Sequence, residues 1–190
     1  PLRLVGSMRR ERPGITVQKL DNGATVVVRE ERSVPLLAMQ ASFQGGVRFE
    51  APEESGLTAL VARTLTSGTQ TLAAEPLSHL IDSMAGSLSA VAGRNSMSLR
   101  GEFLSKHFER AFELFSDSLL RPAFAREEFE RERTLQLQDI ASRDDRPSSL
   151  AFELFAKTLW RVHPYRLSPL GEKGTVAQLS VEAMRRYHQQ

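Results

Sequence analysis

Asp21-Asn22-Gly23 narrows the folds open to this chain more than any other stretch. Before it, residues 16–20 (Thr-Val-Gln-Lys-Leu) alternate as a strand does; after it, residues 24–30 resume as a Val-rich strand. Asp, Asn and Gly tolerate the positive φ that a tight hairpin turn needs, so the two runs are predicted to pair antiparallel. A third strand is expected over 36–43, after Val34-Pro35. Gly93-Arg94-Asn95 repeats the hairpin pattern between residues 87–92 and 96–103. Turns this short cannot hold a crossover helix, which excludes a doubly wound parallel sheet.

The rest of the chain reads as helices. Residues 56–69 form one helix, with Glu53, Glu54 and Ser55 where anions and a capping hydroxyl meet free N–H groups, and Gly68 where helices stop. Leu57, Leu60, Val61 and Leu65 make its packing face. Ala59, Ala62, Arg63 and Thr66 make a second face that holds no metal ligand and no acid. Further helices are predicted over 76–84, with Leu77, Leu80, Ile81 and Met84 buried, and ahead of Arg121-Pro122, with Phe108, Ala111, Phe112, Phe115 and Leu119 on one side. A charged helix follows over 125–143. Residues 149–160 come next, with Leu150, Leu154, Phe155 and Leu159 buried, and a short helix spans 181–188. Helices grouped in sequence beside an antiparallel sheet give an α+β domain with its helices on one face.

Little in the composition points to chemistry. The formal net charge is +2 and there is no cysteine, so disulfides and thiolate metal sites are excluded and nucleic acid is not an expected partner. Arg9-Arg10-Glu11-Arg12 is short and interrupted by an acid; with the rest of residues 1–14 it reads as a solvated linker or lead-in, and residues 15–190 as the domain. No run is long and apolar enough to span a membrane. The four histidines, His79, His107, His163 and His188, are scattered, and none has another three or four residues away to share a metal. His163, in His163-Pro164-Tyr165, is expected to pack its ring and bond backbone. The carboxylates of 127–132 interleave with Arg126, Arg131, Arg133 and Arg143 as an ion-paired solvated face. Asp139 shares a partly apolar face with Leu135 and Ile140, where a carboxylate needs a partner. No Gly-x-Ser-x-Gly or phosphate-binding glycine loop is present.

Five collinear segments carry a resemblance across residues 16–190: Leu20-Asp21-Asn22-Gly23; Gly46-Val47-Arg48-Phe49-Glu50; Gly56-Leu57 through Ser67-Gly68-Thr69; Ala85-Gly86-Ser87-Leu88-Ser89-Ala90; and 132–147 with His163-Pro164-Tyr165 and Leu170-Gly171. The chain resembles the insulinase/pitrilysin peptidases, whose catalytic helix carries an inverted H-x-x-E-H zinc motif. The resemblance implies a metallohydrolase roll like that of mitochondrial processing peptidase. It also implies a degenerate site. The two zinc histidines fall at Ala59 and Arg63, the water-activating Glu at Ala62 and the third ligand at Asp139. Two arrangements are open there: Arg63 and Asp139 pair directly, or Arg63 reaches solvent while Asp139 caps or pairs with Arg143.

The resemblance further implies a non-catalytic lobe that works beside an active one, in the same longer chain or as a partner subunit. Zinc is expected only in that active lobe, with no cofactor in this one. Unfolded peptides are the implied ligands, with Ser89 and Ala90 on the matched substrate strand. By the family's pattern a further strand is expected after Met184-Arg185-Arg186-Tyr187, so a truncated C-terminal end is expected, and an unpaired sheet edge would invite homo-association. The alternatives are a structural or assembly subunit of the core-protein type, and an enzyme with relocated metal ligands.

Overall fold

A computed structural model describes residues 9–12 and 14–190, in two compact units, residues 1–35 and 36–190. In the first unit, β1 (Arg9–Arg12), β2 (Ile15–Lys19) and β3 (Thr25–Arg29) make an antiparallel sheet in the order β1-β2-β3. The turn is built as its residues require. Gly23 takes φ 85°, its N–H donates to Leu20 O at 3.0 Å, and the Asn22 side-chain oxygen accepts from Ala24 N at 3.0 Å. That turn sets the register, with Lys19 opposite Thr25 and Ile15 opposite Arg29. Of the expected lead-in, residues 1–8 and 13 lie outside the described residues, while Arg9–Arg12 pair with β2.

The second unit holds β4 (Leu36–Gln44), β5 (Ser87–Ala92) and β6 (Ser96–Leu104) in the order β4-β6-β5, again antiparallel throughout. Around them lie α1 (Leu57–Leu65), α2 (Ala74–Ser83), α3 (Phe108–Leu120), α4 (Arg126–Asp144), α5 (Pro147–Leu159), α6 (Lys173–Val176) and α7 (Val181–Gln189). Strand geometry sends alternate residues to opposite faces. Met97, Leu99 and Phe103 of β6 therefore point into the core, while Arg100 and Glu102 face water. Leu57, Leu60 and Leu65 of α1 meet Met97 and Leu99 together with Ile140 and Met184, and a second cluster joins Leu77, Phe103 and Leu114. Both clusters lie on the same side of β6, as helices covering one face require. Gly86 makes room for the aromatic anchor of the second cluster, since a Cβ there would fall 2.2 Å from the Phe103 ring.

Two helices turn differently from their apolar spacing. In α3 the buried stripe is Ala111, Leu114, Phe115 and Ser118, and Phe108 and Phe112 stand exposed, their rings stacked at 5.9 Å. The small Ala111 and Ser118 let the helix come close to the sheet, and that rotates the two phenylalanines outward. In α5, Leu150, Leu154, Phe155 and Leu159 are exposed rather than buried, and the helix leans on Ser149, Glu153, Ala156 and Trp160. Glu153 turns it: its carboxylate meets Arg143 at 2.7 Å. Arg143 itself is buried rather than on a solvated face, and donates to Ser168 Oγ at 2.7 Å and Gly171 O at 3.0 Å. A guanidinium held out of water needs a carboxylate beside it, and α5 is oriented to supply one.

Candidate functional site

The site is organised at the N-terminus of α1. Gly56 precedes the helix with φ 96°, a conformation that suits glycine, and a Cβ there would fall 2.7 Å from Leu170 O. The free N–H groups of Gly56 and Thr58 are met by the Glu50 carboxylate at 3.0 and 2.7 Å. Glu53, Glu54 and Ser55 do not fill that role. Pro52–Glu54 coil into a 3-10 turn, Glu54 reaches Arg186 at 3.1 Å, and the buried Ser55 hydroxyl has no hydrogen-bond partner. Burial raises the Glu50 pKa above the ordinary carboxylate value, against the opposing pull of its bonds from Gly56 and Thr58. Tyr187 of α7 closes the same corner, its hydroxyl oxygen accepting from Gly46 N at 2.9 Å and Thr58 Oγ1 at 2.8 Å. Burial raises the Tyr187 pKa as well.

Further along α1, Ala59 and Ala62 are buried and Arg63 is the one residue of the helix that is not. Arg63 donates through Nη2 to Asp139 Oδ2 of α4. Of the two arrangements the sequence leaves open, the structure has the direct pair, because Arg143 is committed to Ser168, Gly171 and Glu153. One turn before Asp139, the fully buried Gln136 donates to Gly56 O and Leu170 O, both at 2.9 Å. These bonds set the register of α4 on α1 and so deliver Asp139 to Arg63.

Of the four positions that the resemblance matches to the zinc motif, Arg63 and Asp139 meet directly, and the chemistry of the set does not fit zinc. Ala59 and Ala62 carry no donor atom, a guanidinium has no lone pair to give, and the single carboxylate already binds that guanidinium. A catalytic zinc takes three protein ligands. Among the described residues no group of three or more His, Cys, Asp or Glu is placed to hold a metal ion. Three of the four histidines have other partners: His79 faces Glu75 at 3.7 Å, His163 Nδ1 accepts from Tyr165 N at 3.2 Å, and His188 Nε2 lies 2.7 Å from Leu119 O.

Ser89 and Ala90 stand on β5, opposite Arg100 and Leu99 of β6. Among the described residues β5 is an edge of its sheet. Ser89 is exposed, whereas Ala90 packs against the core formed with α1. Sequence reasoning missed Glu50, Tyr187 and Gln136 as determinants of this corner. Glu50 and Gln136 lay inside segments of the resemblance and Tyr187 outside them, and nothing local in any of the three reveals its partners, six and eight residues on for Glu50 and at least 34 residues away for the other two.

The structure thus sets Arg63 of α1 against Asp139 of α4, with the edge strand β5 packed on α1. The family model described as insulinase, peptidase family M16, matches residues 25–173. The chain belongs to the insulinase family. An uncharacterized zinc protease of Rickettsia bellii (strain RML369-C) is 29% identical over 160 residues, which is 84% of this chain and 39% of that protein. Cytochrome b-c1 complex subunit 1, mitochondrial, of Bos taurus is 26% identical over 168 residues, 88% of this chain and 35% of that one. The crystal structure of a peptidase M16 inactive domain from Pseudomonas fluorescens has the same fold, with a TM-score of 0.86 at 19% identity, over 92% of this chain and 42% of its own. The chain spans about two-fifths of the length of the curated relatives it matches.

Proposed function

We propose that this chain is a non-catalytic insulinase-family lobe that pairs with an active zinc-peptidase lobe, in the same longer chain or in a partner subunit, and helps to bind the peptides that lobe cleaves. The Arg63–Asp139 pair carries the reading. A metallopeptidase needs an ion to polarise the scissile carbonyl and a base to take the proton of the attacking water. Here a fixed positive charge stands at a ligand position, where it would repel a dication, and the position of the base is Ala62. Zinc is then required only in the active lobe. The edge strand β5 supports the peptide-binding half, because an open row of N–H and C=O groups accepts an extended chain by strand addition.

A peptide-cleavage assay tests this with the chain alone, with an active family lobe encoded in the same or a neighbouring gene, and with both. No turnover is expected alone, and more from the combination than from the active lobe by itself. Turnover by this chain alone, with stoichiometric zinc, would sink the proposal. A second reading, an assembly role without proteolysis, is favoured by the similarity to a subunit of the cytochrome b-c1 complex. A chain that binds the active lobe yet leaves cleavage unchanged would select it.

A further inference from the structure

We propose that the cleft between the β5–β6 turn and the 164–169 loop is a carboxylate-binding site, which takes an acidic side chain or the C-terminal carboxylate of a peptide. Arg94, in that turn, and Arg166, in the 3-10 turn Pro164–Arg166, wall a space of about 70 Å³ together with Ser168, Glu153 and Ala156. Arg94 is fixed in place. Its Nη1 donates to Tyr165 O at 2.9 Å, its guanidinium lies 5.7 Å from the centre of the Tyr165 ring, and the Tyr165 hydroxyl donates to Asn95 Oδ1 at 2.7 Å. Arg48 stands beside them, its backbone N–H donating to Arg94 O at 3.0 Å. The three arginines come from segments far apart in the sequence, and among the described residues none of them takes part in an ion pair.

The donors of the cleft outnumber its acceptors. Ser168 is 5% exposed and its Oγ accepts from Arg143 at 2.7 Å, so its own hydrogen is left to donate; among the described residues it meets no acceptor. The one carboxylate on the wall, Glu153, is held by Arg143 at 2.7 Å. Two guanidiniums and a buried hydroxyl thus share a space with no counter-charge committed to them. A carboxylate supplies what they lack, because its two oxygens match the arginine fork and have further lone pairs for the hydroxyl. A cleft this small admits the carboxylate group and leaves the chain that carries it outside. A nucleic-acid backbone is a poorer match, since it calls for cations spaced along a track, and these are gathered at one point beside Glu153. The site deepens the proposed function by naming the kind of peptide, and it rests on that reading for the ligand being a peptide at all.

Binding is read on this chain alone, with no active lobe and no cleavage, so either proposal can fail without the other. Trp160, the single tryptophan, lies edge-on to the Tyr165 ring at 5.5 Å and reports the site by its fluorescence, with calorimetry to detect a spectroscopically silent complex. Saturable binding is expected from a Glu-rich decapeptide with both ends blocked, from its Gln counterpart with a free C-terminal carboxylate, or from both, and none from the Gln peptide with both ends blocked. Which one binds tells the side-chain source from the terminal one. Arg94→Gln and Arg166→Gln should each weaken binding about tenfold, the effect of losing one charge-assisted hydrogen bond. Arg185→Gln, which removes the same charge from an exposed position on α7, should leave it unchanged. The Arg166 side chain makes no hydrogen bond or ion pair among the described residues, so its variant separates lost binding from lost folding. No binding of either carboxylate peptide, equal binding of the blocked Gln peptide, an Arg166→Gln chain that binds as the wild type does, an equal loss in Arg185→Gln, or inorganic phosphate binding more tightly than both peptides would each overturn the proposal.

Discussion

Replacing Glu50 separates two opposing effects at the start of α1. The carboxylate accepts from Gly56 N and Thr58 N, and both N–H groups are free helix-terminal donors in a corner where Glu50 is only 6% exposed. Bonds to a charged acceptor contribute about 1.5–3 kcal/mol each, and a buried donor left without one costs about 1–3 kcal/mol. Against this, removing the carboxylate ends the desolvation that raises its pKa. Glu50→Ala is therefore expected to lose about 2–4 kcal/mol, and Glu50→Gln, which keeps one acceptor oxygen, about 1–2 kcal/mol. The pH dependence carries the sharper test. With the folded pKa above the unfolded one, the native state binds more protons between the two values. The stability Glu50 adds is then full below the unfolded value and falls as pH rises through the folded one. Denaturant unfolding of wild type and Glu50→Gln from pH 4 upward should show the gap between them narrowing toward neutrality. A gap that widens with pH would mean the two hydrogen bonds outweigh burial, and would refute this account of the corner.

Three more outcomes follow from single contacts. The triple change Ala59→His, Ala62→Glu and Arg63→His should bind zinc near one per chain by metal analysis, with Asp139 as third ligand; failure to bind would remove α4 from the site. Arg143→Met strands the part-buried Glu153 without its cation and should lower stability by about 3–5 kcal/mol in thermal or urea unfolding, the range seen when one partner of a buried pair is removed. Tyr187→Phe takes the acceptor from Gly46 N and Thr58 Oγ1 and should cost about 1–2 kcal/mol, with hydrogen exchange rising first at Gly46; unchanged exchange there would show that the bond contributes nothing.

The sequence by itself determined what depends on near neighbours. Asp21-Asn22-Gly23 and Gly93-Arg94-Asn95 settled two hairpins, because turn residues between alternating runs act locally; positive φ is met only in the first, at Gly23, while the second closes through Gly93 N donating to Ser96 O. Apolar spacing placed α1 through α5 and α7 to within a few residues. Five short motifs in order identified the family, and the resemblance they carry implies that its site positions fall at Ala59, Ala62, Arg63 and Asp139. The short α6, held by a reciprocal bond pair between Glu172 and Thr175, was not legible from period alone. Tertiary structure decided the rest, and the deciding groups were polar. Apolar periodicity says that a helix has a buried face but not how far it is rotated. For α5 that was settled by Arg143 seeking Glu153, and it left Leu154 and Phe155 outside. Likewise, no local rule ties Glu50 to Thr58, or Arg63 to Asp139 some 76 residues away. A hydrogen bond forms between whichever groups packing brings within reach. The partner of a buried charge therefore becomes knowable only once the core has placed both ends.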